Sequence, residues 1–194
     1  MVLNVVQVGE AVLRQRARSL APDVIRSPAI RELIEHMRET MREAPGVGLA
    51  APQIGVSLQI AVIEDRAENL LELSAWRLAE LERHPVPFHV IVNPTITLGE
   101  ESVEFFEGCL SVARFGAAVP RARSVVVECW NERAEPVRIE ASGWYARILQ
   151  HEIDHLYGRL YIDRMNPRSF MTLENHHRYW KDVPMTKVRE TLGW

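Results

Sequence analysis

His151 and His155 stand four residues apart in the stretch ILQHEIDHLYG, Ile148 to Gly158, with Glu152 directly after the first. On a helix, positions i and i+4 share a face, so both imidazoles can present a nitrogen to one point, where a divalent ion would sit. In this H-E-x-x-H pattern the glutamate points near the ion's open position. There it can take a proton from water and pass it to a leaving amine, which is chemistry for amide hydrolysis. Two helical histidines that merely pack or face solvent are the plainer alternative, and Glu152 is what speaks against it.

Two imidazoles do not hold an ion alone, and a third protein ligand has to come from elsewhere. An extended H-E-x-x-H-x-x-G-x-x-H pattern would supply a third histidine; Gly158 fits it, but Tyr161 occupies the histidine's place. Glu174, in a charged C-terminal segment, has a workable separation from His155. Cys109, upstream in FFEGCLSV, would add a thiolate to two imidazoles, a sound donor set for a divalent metal. Glu174 and Cys109 therefore both stay open on the residues alone.

These groups need elements to carry them. Ser142 is a candidate cap for a helix over SGWYARILQHEIDHLYG, with Trp144, Ile148, Leu149 and Leu156 as its apolar stripe and Gly158 as its stop. Earlier, SPAIRELIEHMRETMREA (Ser27 to Ala44) opens with an N-cap and a proline and sets Ile30, Leu33, Ile34, Met37 and Met41 on one face, which predicts an amphipathic helix. The following PGVGLAAPQIG holds three glycines and two prolines in eleven residues and must be a loop whose backbone approaches something closely. Strands are predicted over LQIAVIE from Leu58, FHVIVNPTI from Phe88, SVVVECW and EPVRIEA. Between the first two, leucine- and charge-rich RAENLLELSAWRLAELER reads as a helical surface insertion, approximately residues 67–87, with a lid over a site as the other reading. NPRSFMTLENHHRYW predicts one more helix, with a mobile end after it, so that residues 165–194 form a C-terminal helix and tail. The whole is an α+β chain, one domain over 1–194, with small mixed or antiparallel sheets packed around a central metal-binding helix.

Bulk properties narrow the function. A chain of 194 residues that is 47% apolar and 25% charged suits one globular domain, and a net charge of −3 gives no reason to expect specific DNA binding. No stretch approaches the roughly 20 apolar residues that span a bilayer, and the start shows no signal or transit pattern, so a cytoplasmic protein is expected. Two cysteines are too few for a disulfide framework. Cys129, in a β-branched run, reads as a core thiol, whereas Cys109 follows a glycine in a kinked, partly polar segment. Asp154 is expected either to orient a ligand histidine or to form a salt bridge, and Glu107 to pair with Arg121.

Three motifs in order, GVGLAAPQ (Gly46 to Gln53), EGCLS (Glu107 to Ser111) and QHEIDH (Gln150 to His155), resemble those of peptide deformylases. The resemblance runs from about Val8 to Met165. It implies removal of the formyl group from the N-terminal formylmethionine of nascent polypeptides, with release of formate. Cys109, His151 and His155 match the family's metal ligands and Glu152 its general base. Gln53 and the backbone N–H of Leu110 match the donors to the formyl oxygen. Gly46 and Gly48 would let the loop pair with an extended peptide. The methionine pocket would be lined by Val47, Phe105, Trp144, Ile148 and His151, although Arg147 falls where many bacterial members carry an aliphatic residue.

One divalent ion is implied, iron(II) as the native one, with zinc, nickel or cobalt also accommodated. ARFGAAVPR and LYIDRMNPRSF look more like the organellar-type branch, which a bacterial enzyme or a mature organellar form would both fit. From Arg164 onward the chain has six Lys/Arg against three Asp/Glu; a transient contact of this tail with ribosomal RNA is one expectation, a solvated tail the other. Two rival functions remain: an endopeptidase using Glu174, and a metal-binding module without turnover, against which the set Gln53, Cys109 and Glu152 argues.

Overall fold

The computed structural model describes residues 1–194. A short helix α1 (Pro22–Ile25) leads into α2 (Pro28–Glu43), whose Ser27 side chain accepts from the Ile30 N–H as an N-cap. Strands β1 (Gly48–Ala50), β2 (Ile60–Asp65) and, after α3 (Ala75–Leu81), β3 (Val86–Leu98) follow. Next come β4 (Ser102–Cys109), β5 (Val112–Ala122), β6 (Ser124–Trp130), β7 (Pro136–Ser142) and α4 (Gly143–Leu156). The chain ends with β8 (Met171–Thr172), α5 (Leu173–Asn175) and α6 (Met185–Leu192).

Five strands form one sheet in the order β1-β2-β3-β6-β7, and β4-β5-β8 form a second. All named strand pairs are antiparallel, so of the mixed or antiparallel sheets expected, the antiparallel form is what the chain adopts.

The first sheet is buried on both faces at β1 and β2 and the adjoining part of β3, while β6 and β7 turn one face to solvent. Ala61, Ile63 and Ile91 pack on Ile148, Leu149, Ile153 and Leu156 of α4, while Ile60, Val62, Val90 and Val92 pack on Ile30, Ile34, Met37 and Met41 of α2. Alternate residues of one strand thus feed two cores, which is why LQIAVIE reads as a continuous apolar run. Cys129 lies in the α4 core, and burial pushes its thiol up to about 11. It is the inert core cysteine that its strand predicts.

Elsewhere the chain departs from expectation for identifiable reasons. The hairpin β4–β5 was not marked by β-branched runs: GCLSVARFGAAVP is rich in small residues, and its pairing is tertiary. Ser142 occupies the N-cap position of α4 as expected, but its side chain makes no cap bond. In the segment 66–83 only Ala67–Leu70, a 3-10 turn, and α3 are helical, and Arg77 and Leu81 are buried. The helix expected from Asn166 starts at Leu173, after β8 has paired with β5, and continues as a π turn over His176–Trp180. The end expected to be mobile is α6, with Met185 and Val188 buried against Phe106 and Ala118 of the hairpin.

Candidate metal centre

Helix α4 runs between the two sheets and carries His151 and His155 toward the tip of the β4–β5 hairpin, where Cys109 ends β4 at a bulge. The ligand atoms of Cys109, His151 and His155 all lie within 4.8 Å of one another. Cys109 Sγ is 3.3 Å from His155 Nε2. His151 gives its Nδ1 to a Glu107 oxygen at 2.9 Å, which leaves Nε2 for the cluster. A thiol and two imidazoles converging at this range suit a divalent transition ion.

Glu107 is the group that orients His151, and Asp154 is not. Glu107 and Cys109 are two apart on β4 and so project to one face, which places the carboxylate beside the cysteine's partner imidazole. The carboxylate also takes Arg121 Nε and Nη2, both at 2.9 Å, and Arg147 Nη1 at 2.7 Å. The Arg121 pairing matches expectation. Asp154 instead binds Arg121 Nη1 and the guanidinium of Arg164 (2.8 and 2.9 Å), so a charge chain runs His151–Glu107–Arg121–Asp154–Arg164, buried up to Asp154 and reaching solvent at Arg164.

Electrostatics follow from burial and this chain. Burial opposes ionisation of Glu107, but Arg121 and then His151 outweigh it and hold its carboxyl well below the usual range. Burial likewise opposes a charged His151, and Cys109 and Glu107 overcome it, raising that imidazole well above its ordinary value. His155 goes the other way: burial, then neighbouring His151, keep it neutral. Burial pushes Glu152 up to about 7. Glu152 Oε2 and His155 Nδ1 are buried without a hydrogen-bond partner, as are few polar atoms in a folded chain.

Above the cluster lies a cleft of about 490 Å³. Of the residues predicted for a site, Gly46, Val47, Gly48, Gln53, Cys109, Leu110, Trp144, Ile148, His151 and Glu152 border it, and His155 lies buried beneath. Phe105 does not border it. Its ring sits under the Arg147 guanidinium at 5.4 Å, and Arg147 takes its place in the wall. Arg83, from the end of the 66–83 segment, forms part of the rim and is held by two bonds to buried Asp65. Gly48 touches Glu152 so closely that a Cβ there would collide with the carboxyl group. Gln53 anchors its loop through Oε1, which accepts the Ala50 N–H at 2.9 Å, and turns Nε2 toward Ser111 Oγ (3.3 Å) and Cys109 Sγ (3.5 Å).

Sequence reasoning missed Gln7. Its Nε2 donates to the Leu110 carbonyl at 2.9 Å and its Oε1 accepts from Ala113 N, while Val8 N–H reaches Ser111 O and Val6 N–H reaches Gln53 O. Residues 6–8 therefore tie the cysteine turn to the glutamine loop, a contact between distant segments that no local pattern announces. Glu174, by contrast, is exposed and bonded to Arg178, outside the Cys–His–His cluster. Tyr161 is buried with its ring parallel to that of His151 at 6.3 Å and supplies no ligand nitrogen.

The family model for polypeptide deformylase matches residues 2–170. Peptide deformylase 1A, chloroplastic/mitochondrial, of Arabidopsis thaliana is 44% identical over 191 residues, 98% of this chain and 69% of that relative. Peptide deformylase 3 of Streptomyces avermitilis is 42% identical over 197 residues, 99% of this chain and 84% of the relative. Among solved structures, a class I type b peptide deformylase from Acinetobacter baumannii bound to Met-Ala-Ser is similar, with a TM-score of 0.76 and 32% identity, covering 85% of this chain and 99% of that one.

Proposed function

The chain belongs to the polypeptide deformylase family, and from that premise we propose how its own residues remove the formyl group from the N-terminal formylmethionine of nascent polypeptides. The observation that carries the reading is the convergence of Cys109, His151, Glu152 and Gln53 on one cleft, with His155 completing the cluster beneath it. Cys109, His151 and His155 hold one divalent ion, iron(II) as the native one, with zinc, nickel or cobalt also fitting the donor set. Such an ion supplies Lewis acidity at the formyl group.

The remaining work falls to side chains and backbone. The Gly46–Gly48 backbone pairs with an extended peptide and steers its formyl end to the cluster. Val47, Trp144 and Ile148 receive the methionine side chain, whose thioether suits apolar walls. Gln53 Nε2 and the Leu110 N–H donate to the formyl oxygen as it becomes an oxyanion, each worth about 2.7–4 kcal/mol. Glu152 takes a proton from the attacking water and returns it to the departing amine, so that formate and a free N-terminus leave.

The test is formate release from a short formyl-Met peptide by protein purified without oxygen and loaded with iron(II) or nickel, because both thiolate and iron(II) are oxidisable. Wild type is expected to release formate and leave the rest of the peptide intact. Cys109→Ala should lose both activity and bound metal, and Glu174→Gln neither. Metal retained by Cys109→Ala, or lost from Glu174→Gln, would move the third ligand.

Gly48→Ala should retain its metal content yet lose about 10²-fold in kcat/KM, because the new methyl group displaces the Glu152 carboxyl by a fraction of a bond length or more. Activity within threefold of wild type would mean that the loop yields instead.

We further propose a cytoplasmic enzyme that touches the ribosome transiently through its C-terminal segment. Relatives include bacterial and organellar forms, and no helix is long and apolar enough to cross a membrane. Truncation at Met165 would remove β8 and α6 along with the charge, so charge reversal is the cleaner test. Arg178→Glu, Lys181→Glu and Lys187→Glu combined should reduce co-sedimentation with ribosomes, more so at low salt; unchanged co-sedimentation would remove the RNA contact.

A further inference from the structure

On the face of α4 away from the metal cluster lies a second cavity, of about 470 Å³, between β3, β5 and the turn after α4. Its floor is the far end of the buried charge chain, Arg121 and Asp154, and Arg159 and Arg164 also line it. Arg159, exposed at the rim, forms no ion pair or side-chain hydrogen bond, whereas Arg121 and Arg164 both pair with Asp154. Arg164 spends Nε and Nη2 on Asp154, which leaves Nη1 uncommitted. Arg16 lies outside the lining, 4.7 Å over the ring of Tyr157, which is a lining residue. Arg16 too has no carboxylate partner.

The charge at this spot is opposite to that of the molecule. A chain of net charge −3 places three guanidiniums, those of Arg121, Arg159 and Arg164, around one recess whose own carboxylate, Asp154, is shared by two of them. A recess with low-dielectric walls focuses such a field and gathers counter-ions. Planar guanidinium forks with free N–H groups are suited to bidentate binding of phosphate or carboxylate oxygens. The excess of positive charge favours the doubly charged partner of the two. Ile96, Leu98 and Ile153 form an apolar side to the same cavity, with room for a small hydrocarbon or ring.

We propose that this cavity is a binding site for a phosphate monoester with a small apolar body, held by Arg159 and the free side of Arg164. The site is separate from the peptide cleft: α4 lies between them, and Arg121 and Asp154 make its floor rigid before any ligand arrives.

The experiment is calorimetric titration of the metal-loaded protein with phenyl phosphate, inorganic phosphate and benzoate at matched ionic strength, for wild type and Arg159→Ala. The Arg159 side chain has no bonded partner in the fold, so the variant should fold and release formate as wild type does. Phenyl phosphate should bind most tightly, inorganic phosphate and benzoate more weakly. Loss of one charged hydrogen-bonding partner should raise the Kd of Arg159→Ala roughly tenfold or more. In a parallel assay, saturating phenyl phosphate should leave the KM for a formyl-Met peptide unchanged. Absence of binding, equal binding by Arg159→Ala, benzoate binding as tightly as phenyl phosphate, or a peptide KM that rises with phenyl phosphate would each overturn the proposal, the last by placing the anion in the cleft.

Discussion

Glu152→Gln is expected to retain its metal and lose formate release by about 10²–10⁴-fold, the range that a positioned general base contributes. The amide keeps the shape of the carboxylate against Gly48 and cannot accept the proton. Shape matters here, because alanine would open a void against the glycine loop and mix two effects. Metal content by elemental analysis should be unchanged, since Glu152 is not among the three clustered ligands. A variant that kept its activity within tenfold would show that proton transfer does not depend on this side chain. One that lost its metal would make Glu152 part of the ion's support.

Glu107→Ala should be the most destabilising single change near the site, by ~3–5 kcal/mol, the usual cost of removing one partner of a buried ion pair. The reason is the number of groups left behind: Arg121, Arg147 and His151 all bond to this carboxylate, and both arginines are buried. Metal affinity should fall as well, because loss of an orienting partner behind a ligand histidine typically costs 10–100-fold. Asp154→Asn provides the contrast. One of its two partners, Arg164, reaches solvent, so water can replace the lost interaction there and the cost should be smaller. Denaturant unfolding of both variants would measure the difference. Equal losses for the two would show that Glu107 is no more than another member of the chain.

The chemistry of this protein was legible where it is local. An i, i+4 histidine pair needs only a helix, and the glycine density of PGVGLAAPQIG announces a close approach without saying to what. Spacing did not choose between Cys109 and Glu174, because Cys109 reaches the histidines through a hairpin whose small residues and proline carry little strand signal. Asp154 and Glu107 illustrate the same limit. Both are carboxylates near ligand residues in sequence, but one turn of α4 aims Asp154 at Arg121 and Arg164, away from the imidazoles. Only the strand periodicity of β4, legible once β4 is known to be a strand, puts Glu107 on the correct side. Phe105 failed as a wall residue because an arginine packs over it, a tertiary substitution that aromatic composition cannot foretell. The C-terminal segment was underestimated for a related reason: α6 is short and mostly polar, and its order comes from two buried residues, Met185 and Val188, docking on another element.

The clamp made by Gln7 has a consequence for biosynthesis. Its partner Leu110 is 103 residues further along the chain, and the histidines come later still. Gln7 and Val8 leave the ribosome long before Leu110, Ser111 and Ala113 and must remain without these partners until the cysteine turn has been made. Contacts of such long separation form late, after the intervening loop entropy has been overcome by other pairings. A half-made chain therefore holds the glycine loop and Gln53 but none of the Cys–His–His cluster, and competence waits until the segment carrying His151 and His155 joins the rest.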